Sequence, residues 1–375
     1  MVNEFLTRRI ALPLVALLLC AGCAQRPENV FLASEPLATP TAKVDMLVAT
    51  TRQPSAVPGE MFGGARGTPG FAEIVISIPP GHKTGAVEWP EKIPADPAVS
   101  FATVSAETIS RDDAKARFAT RLARGPSRSV LVFVHGYNNR FDDAVFRFAQ
   151  IVHDSGTDAI PVLFTWPSRG KLLAYGYDRD SATYSRDALE RLLQYLINDK
   201  SVSDISVLAH SMGNWVTLET LRQMVIRDGG ISTKVRNVML ADADVDIDIF
   251  RTQVVEMGKK RPDFTIFVSQ DDKALAASKF LWGSTARVGE IDPNAATYKD
   301  FLAENRISVI NMTDIKTDDA VNHGKFAESP KIIQLIGKQL ATGQPVTDQT
   351  EKVNPVSTVG MATAGAITAI TSVGQ

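Results

Sequence analysis

Residues 207–215, VLAHSMGNW, place Ser211 between two small residues, with Ala209 two positions before it and Gly213 two positions after. In the pattern G-x-S-x-G a serine sits on a sharp turn from strand to helix, where bulk two positions away on either side would collide with neighbouring backbone. Ala209 keeps the frame small while adding one methyl group. The chemistry such a serine performs is nucleophilic attack on an acyl carbon. A hydroxyl near neutral pH is a weak nucleophile, so that chemistry needs a base within hydrogen-bond reach.

The chain has five histidines, and only His323 follows Ser211. In this kind of site the partners follow in the order serine, acid, histidine, so His82, His135 and His153 come too early. His210 adjoins the serine and is expected to point away from it. His323 stands in DDAVNHGKF, a polar loop after the last expected strand, and is the predicted base. Two segments offer an acid. SQDDKAL carries Asp271 and Asp272 after what would be the seventh strand, the commoner position, and LADADVDIDIF carries Asp242, Asp244, Asp246 and Asp248 after the sixth. The second row is no calcium loop, because Ile247 occupies the place of the required glycine and Gln253 that of the closing glutamate. Asp246 or Asp248 is better placed to cap a helix.

A developing oxyanion also needs donors aimed at it. The backbone N–H of Met212, next after the serine, is one candidate. The Tyr137 N–H, in FVHGYNN after a glycine that admits close approach, is the other. His135 in that motif reads as structural. Trp166, in FTWPSRG, is a candidate for the acyl pocket or for the core.

These residues need elements to hold them. DMLVATTRQ and FAEIVISIPPG read as strands, with a glycine-rich loop from Gly59 to Gly70 between them. From residue 129 strand and helix alternate. SVLVFVHGYNN, AIPVLFTWPSRG, DISVLAHSMG, KVRNVMLADADVD, DFTIFVSQDD and RISVINMTDI are the apolar runs of strands buried on both faces. The intervening helices carry apolar residues at helical spacing, such as Leu189, Leu193 and Leu196, and a last one starts at Ser329-Pro330. Repeated units of this kind predict an α/β fold, a mostly parallel sheet with helices on both faces.

Composition sets the outer limits. A net charge of −2 leaves no basic excess to hold nucleic acid. Both cysteines, Cys20 and Cys23, lie close to the start of the chain, which excludes thiolate metal sites further on. The start, MVNEFLTRRIALPLVALLLCAGCAQRP, has a basic pair followed by an apolar run too short to span a bilayer, and reads as a signal peptide over 1–22. Its CAGC resembles the lipobox of bacterial lipoproteins, with Cys20 where leucine is usual, and implies lipidation of Cys23. The expected location is the periplasmic face of a bacterial envelope membrane, the outer one because Ala24 rather than aspartate follows. Residues 23–43 are the expected tether, 44–340 the domain, and 341–375 a low-complexity, disordered tail.

Residues 44 to about 340 resemble an α/β-hydrolase family known as a domain of unknown function within the esterase/lipase superfamily. The stretches that carry the resemblance are ATTRQ, VISIPPGHKTGAVEWP, FVHGYNNRFDDAVFRFAQ, FTWPSRG, AHSMGNW, LADADVDIDIF and SQDDKAL. The resemblance implies an α/β-hydrolase fold and a serine-hydrolase mechanism, and it puts Ser211, Asp272 and His323 on the three catalytic positions. The expectation is a lipid-anchored enzyme that uses no cofactor and no metal and cleaves a carboxylic ester or thioester, its partner a small-molecule or lipid-like acyl substrate. An acyltransferase is the alternative among enzymes. A catalytically inactive envelope scaffold is the alternative outside them.

Overall fold

The computed structural model describes residues 27–35, 40–282 and 285–342. The expected signal peptide, Cys23 and all but the first two residues of the expected tail lie outside the described residues.

A single sheet of nine strands forms the frame, in the order β3-β2-β1-β5-β4-β6-β7-β8-β9. Its antiparallel edge is built from β1 (Ala42–Pro54), β2 (Phe62–Ile78) and β3 (Ala102–Ile109). The rest is parallel: β4 (Ser129–Val134), β5 (Ile160–Thr165), β6 (Asp204–His210), β7 (Val235–Ala241), β8 (Asp263–Val268) and β9 (Ser308–Asn311), with β1 joined in parallel to β5. The helices are α1 (Arg111–Arg124), α2 (Phe141–Ser155), α3 (Tyr175–Asn198), α4 (Gly213–Asp228), α5 (Ile247–Met257), α6 (Lys273–Trp282), α7 (Ala296–Glu304), α8 (Lys325–Glu328) and α9 (Pro330–Thr342).

Strand sequences sort their side chains between two cores. Along β4, Val130, Val132 and Val134 pack into one apolar cluster with α3, α4 and α5, while Leu131 and Phe133 pack into the other with α2 and α9. That alternation is the period of two expected of a strand covered on both faces, and it confirms the predicted layered α/β fold. The strand order reverses at β4. The chain passes from β4 to β5 on one side and returns to β6 on the other, so the loops leaving β4 and β6 diverge. In an open α/β sheet the crevice at the carboxyl ends of such strands is where ligands bind.

Three expectations need correction. The glycine-rich stretch is mostly strand, because β2 begins at Phe62 and its register with β1 shifts rather than stops. The tyrosines of α3 hold it, with Tyr177 Oη donating to Gly64 O and Tyr184 Oη to Gly67 O, both at 3.1 Å. A side chain at Gly67 would meet Gln53 backbone at 2.7 Å, so glycine there reflects close backbone approach rather than a flexible loop. Packing also begins before position 44: Val30 is buried, Thr103 Oγ1 donates to Val30 O, and Phe31 lies 5.4 Å from the Phe141 ring. Finally, the additional edge strand β3 makes the strands before the two acidic segments the seventh and eighth in chain order.

Candidate active site

Ser211 occupies the turn between β6 and α4 with φ of 51°. That is a left-handed conformation, strained for a residue with a side chain. The surroundings fix it. Ser211 N–H donates to Ala241 O at 3.0 Å, and Asn214 Nδ2 donates to both Ser211 O and Ala241 O at 2.9 Å. The small-residue frame has a visible cause. A Cβ at Gly213 would lie 2.5 Å from the carbonyl oxygens of Val134 and His135, and one at Gly136 would lie 2.8 Å from Ser211 Cβ. Ala209 is fully buried in the first core, where its methyl group fits.

His323 approaches from the loop between β9 and α8. Its Nδ1–H donates to Asp272 Oδ2 at 2.7 Å, which leaves Nε2 as the nitrogen able to take a proton. Asp272 is buried, and its Oδ1 accepts the N–H groups of Ala274 and Leu275 at the start of α6. Burial works to lower the His323 pKa, but the Asp272 charge and hydrogen bond, with Asp242 and Asp244 behind them, raise it to about 9. Among the described residues no hydrogen bond joins Ser211 Oγ to His323. Such bonds are often long in unliganded enzymes and tighten with substrate.

His210, next to the serine in sequence, reaches the loop that carries His323. Its Nε2–H donates to His323 O at 3.0 Å, and its ring lies 4.8 Å from the His323 ring and stacks on Phe326. Burial, then the His323 charge, push its pKa well below the ordinary histidine value, which keeps the ring neutral. It holds the backbone that carries His323.

The other acids are occupied or differently placed. Asp244 accepts from Tyr175 Oη at 2.8 Å and Ser278 Oγ at 2.7 Å and lies 3.4 Å from Arg287, so it ties α3 to α6. Asp271 pairs through both oxygens with the buried Lys325 amine. Asp246 caps α5, accepting from Asp248 N–H and Ile249 N–H. Asp242 is fully buried, and neither of its oxygens has a hydrogen-bond partner among the described residues. Burial and the neighbouring Asp272 charge push its pKa well above the carboxylate range.

The loop after β4 is braced by a residue to which sequence reading gave no role. Arg52 is buried. Its Nε donates to Thr165 Oγ1, and its terminal nitrogens donate to Ser168 O and Asn139 O, all at 2.8 Å, and to Gly63 O at 3.2 Å. Burial lowers its pKa to about 10 against the pull of Asp178, which leaves it charged at neutral pH. Asp178 in turn accepts from Ser168 Oγ and from the N–H groups of Arg169 and Asn138. Arg52→Met would strip donors from three carbonyls at about 1–3 kcal/mol for each that stays buried and unpaired. The expected result is a loss of at least ~3 kcal/mol in urea unfolding. An unchanged midpoint would show that water replaces the arginine.

His135 is buried and neutral: burial, then Arg52, lower its pKa to about 3. Its Nδ1–H donates to Gly136 O and its Nε2 accepts the Trp166 N–H. Trp166 itself is fully buried, stacks on His135 and donates Nε1–H to His135 O. Of its two candidate places it takes the core. Neither the Met212 N–H nor the Tyr137 N–H has an acceptor among the described residues, so both remain able to donate.

One histidine and carboxylate group lies elsewhere. Ligand atoms of His82, His153 and Asp154 fall within 4.8 Å of one another. Both His82 nitrogens are already taken, by Glu88 and Asp154 at 2.7 Å, so the group clamps the loop after β2 to the far end of α2.

A mostly parallel sheet with a strained serine between its β6 strand and the next helix defines an α/β-hydrolase fold. Residues 110–339 match the family model described as alpha/beta hydrolase of unknown function (DUF900), and the chain belongs to that family. It is 27% identical over 148 residues to the uncharacterized protein alr1448 of Nostoc sp. strain PCC 7120, a match covering 33% of this chain and 38% of the relative, well under half its length. Among solved structures it is similar, at 11% identity, to a presumed cell surface hydrolase of Lactobacillus plantarum WCFS1, with TM-score 0.35 over 59% of this chain and 94% of that one. A lipase-esterase related protein of Clostridium acetobutylicum ATCC 824 gives 11% identity and TM-score 0.31, covering 58% and 96%.

Proposed function

We propose that the protein is a serine hydrolase that cleaves a carboxylic ester or thioester through an acyl-enzyme on Ser211. The observation that carries this reading is the 2.7 Å bond from His323 Nδ1 to buried Asp272, at the end of the sheet where Ser211 sits in its strained turn. That bond fixes the tautomer with Nε2 free. In the proposed cycle His323 Nε2 takes the Ser211 proton as Oγ attacks the acyl carbon, and the N–H groups of Met212 and Tyr137 hold the oxyanion. His323 then gives the proton to the leaving alcohol or thiol. Water, deprotonated by the same nitrogen, attacks the acyl-enzyme and releases the acid and free serine. An acceptor alcohol in place of water would make the same cycle an acyl transfer.

A fluorophosphonate probe tests the nucleophile. Phosphonylation of the folded protein at Ser211, located by peptide mass, is the expected result; a folded protein that stays unlabelled would leave the inactive scaffold reading standing. The pH profile tests the base. Only neutral His323 accepts the serine proton, and with a pKa near 9 about one molecule in a hundred is neutral at pH 7. Thus kcat/KM should rise with pH along a limb centred near 9. A limb centred at or below the ordinary histidine value would mean that the Asp272 charge does not act on the base.

For location, we propose that Cys23 carries lipid and anchors the domain at the periplasmic face of the outer membrane. A single acyl chain holds a protein only marginally, and two or more hold it durably. Cys23→Ser should lose fatty-acid labelling and leave the membrane fraction; equal labelling of both proteins would refute the anchor.

A further inference from the structure

We propose that a cavity between α1, α3 and the β1–β2 hairpin binds a medium-chain fatty acid as its carboxylate, at a site separate from Ser211. The cavity holds about 270 Å³. Its walls are apolar, with Leu47, Phe71, Phe118, Val162, Leu192 and Leu196 among them. Three basic side chains, Arg111, Lys115 and Arg191, also line it, and no acidic residue does. All three are exposed, so they stand at the mouth while the apolar walls run inward.

Of these three charges only that of Lys115 is already matched. Asp112 is taken by Lys115, and Asp113 accepts from Ser110 at the cap of α1. On α3, Asp187 is engaged by Arg186 and Gln223, and Glu190 by Arg227 and Gln223. Arg111 and Arg191 are left without a hydrogen-bonded or charged partner among the described residues.

This arrangement selects an amphiphile. An apolar cavity offers water few hydrogen-bond partners, so an apolar chain replaces it at little loss. A carboxylate is costly to bury unpaired, and here it can stay at the wet mouth against two guanidinium groups. The volume equals roughly nine waters at ~30 Å³ each, and a methylene is of similar bulk, so a chain of about ten carbons fits. Separation from the serine follows from α3. Tyr175, at its first turn, bonds Asp244 beside the catalytic loops. Leu192 lies about 25 Å further along the helix axis, at ~1.5 Å per residue. The inference therefore stands whether or not Ser211 is a nucleophile.

The test is calorimetric titration of the full chain, in detergent-free buffer, with sodium decanoate. Saturable binding at one site is expected, equal in Ser211→Ala and wild type. Ala188→Phe, which fills the cavity from α3, should abolish it. Arg111→Glu combined with Arg191→Glu should weaken it at least tenfold, while decyltrimethylammonium should not bind the wild type. Circular dichroism confirms that each variant folds. Absence of saturable binding, or decanoate binding untouched by Ala188→Phe, would overturn the site; charge reversal without effect would overturn the carboxylate.

Discussion

Ser211→Ala should fold as the wild type does and lose ester turnover to near the uncatalysed rate. The hydroxyl makes no hydrogen bond to His323 among the described residues, so its removal breaks no link that the fold depends on. The turn is set by backbone bonds from Ser211 N–H to Ala241 O and by Asn214, and alanine keeps both. Relief of strain does not offset the loss, because alanine is no freer than serine at the positive φ of this turn. Without Oγ no acyl-enzyme forms. The Met212 and Tyr137 N–H groups remain, and residual catalysis up to about 10³ over water is expected from them. Turnover of an activated ester measured on the folded variant decides the matter, and an unchanged rate would end the serine-hydrolase proposal.

The parallel half of the sheet was legible in the sequence because its strands are short, continuous apolar runs separated by helical periods. The antiparallel edge was not legible in the same way. The residues of β2 between Gly63 and Gly70 carry no alternation, and what keeps them extended is remote, namely the hydroxyls of Tyr177 and Tyr184 on α3. At the site, types and order pointed to Ser211, His323 and a pair of candidate acids. The supporting residues were invisible for a different reason. Arg52 stands in ATTRQ among polar neighbours with nothing local to mark a role, yet its guanidinium spans carbonyls from three separate segments. His210 could be judged only by its position next to Ser211. Its partner, the carbonyl of His323, lies 113 residues away in sequence.

The sharpest remaining contrast is between Asp272 and the acids at the end of β7. Asp272→Asn should lower kcat by about 10³ to 10⁴, the scale found when a catalytic acid is neutralised. The reason is tautomeric. An amide oriented to donate forces His323 to present Nδ1 as an acceptor, so the proton moves to Nε2, the nitrogen that must be free. Loss of the Asp272 charge also removes the strongest influence raising the His323 pKa, so whatever activity survives should show its alkaline limb shifted toward lower pH. Asp244→Asn should behave otherwise. Its oxygens serve Tyr175 and Ser278, and an amide still accepts one of those bonds while losing the pairing with Arg287. Arg287 is buried, so the expected effect is on stability. Turnover should stay within about tenfold of wild type, a factor worth only about 1.4 kcal/mol of barrier. Both variants, with Asp242→Asn beside them, should be checked for folding and compared on one activated ester. If Asp272→Asn stays within about tenfold of wild type while Asp242→Asn or Asp244→Asn collapses, the working acid lies after β7, and the bond from His323 to Asp272 only anchors the loop.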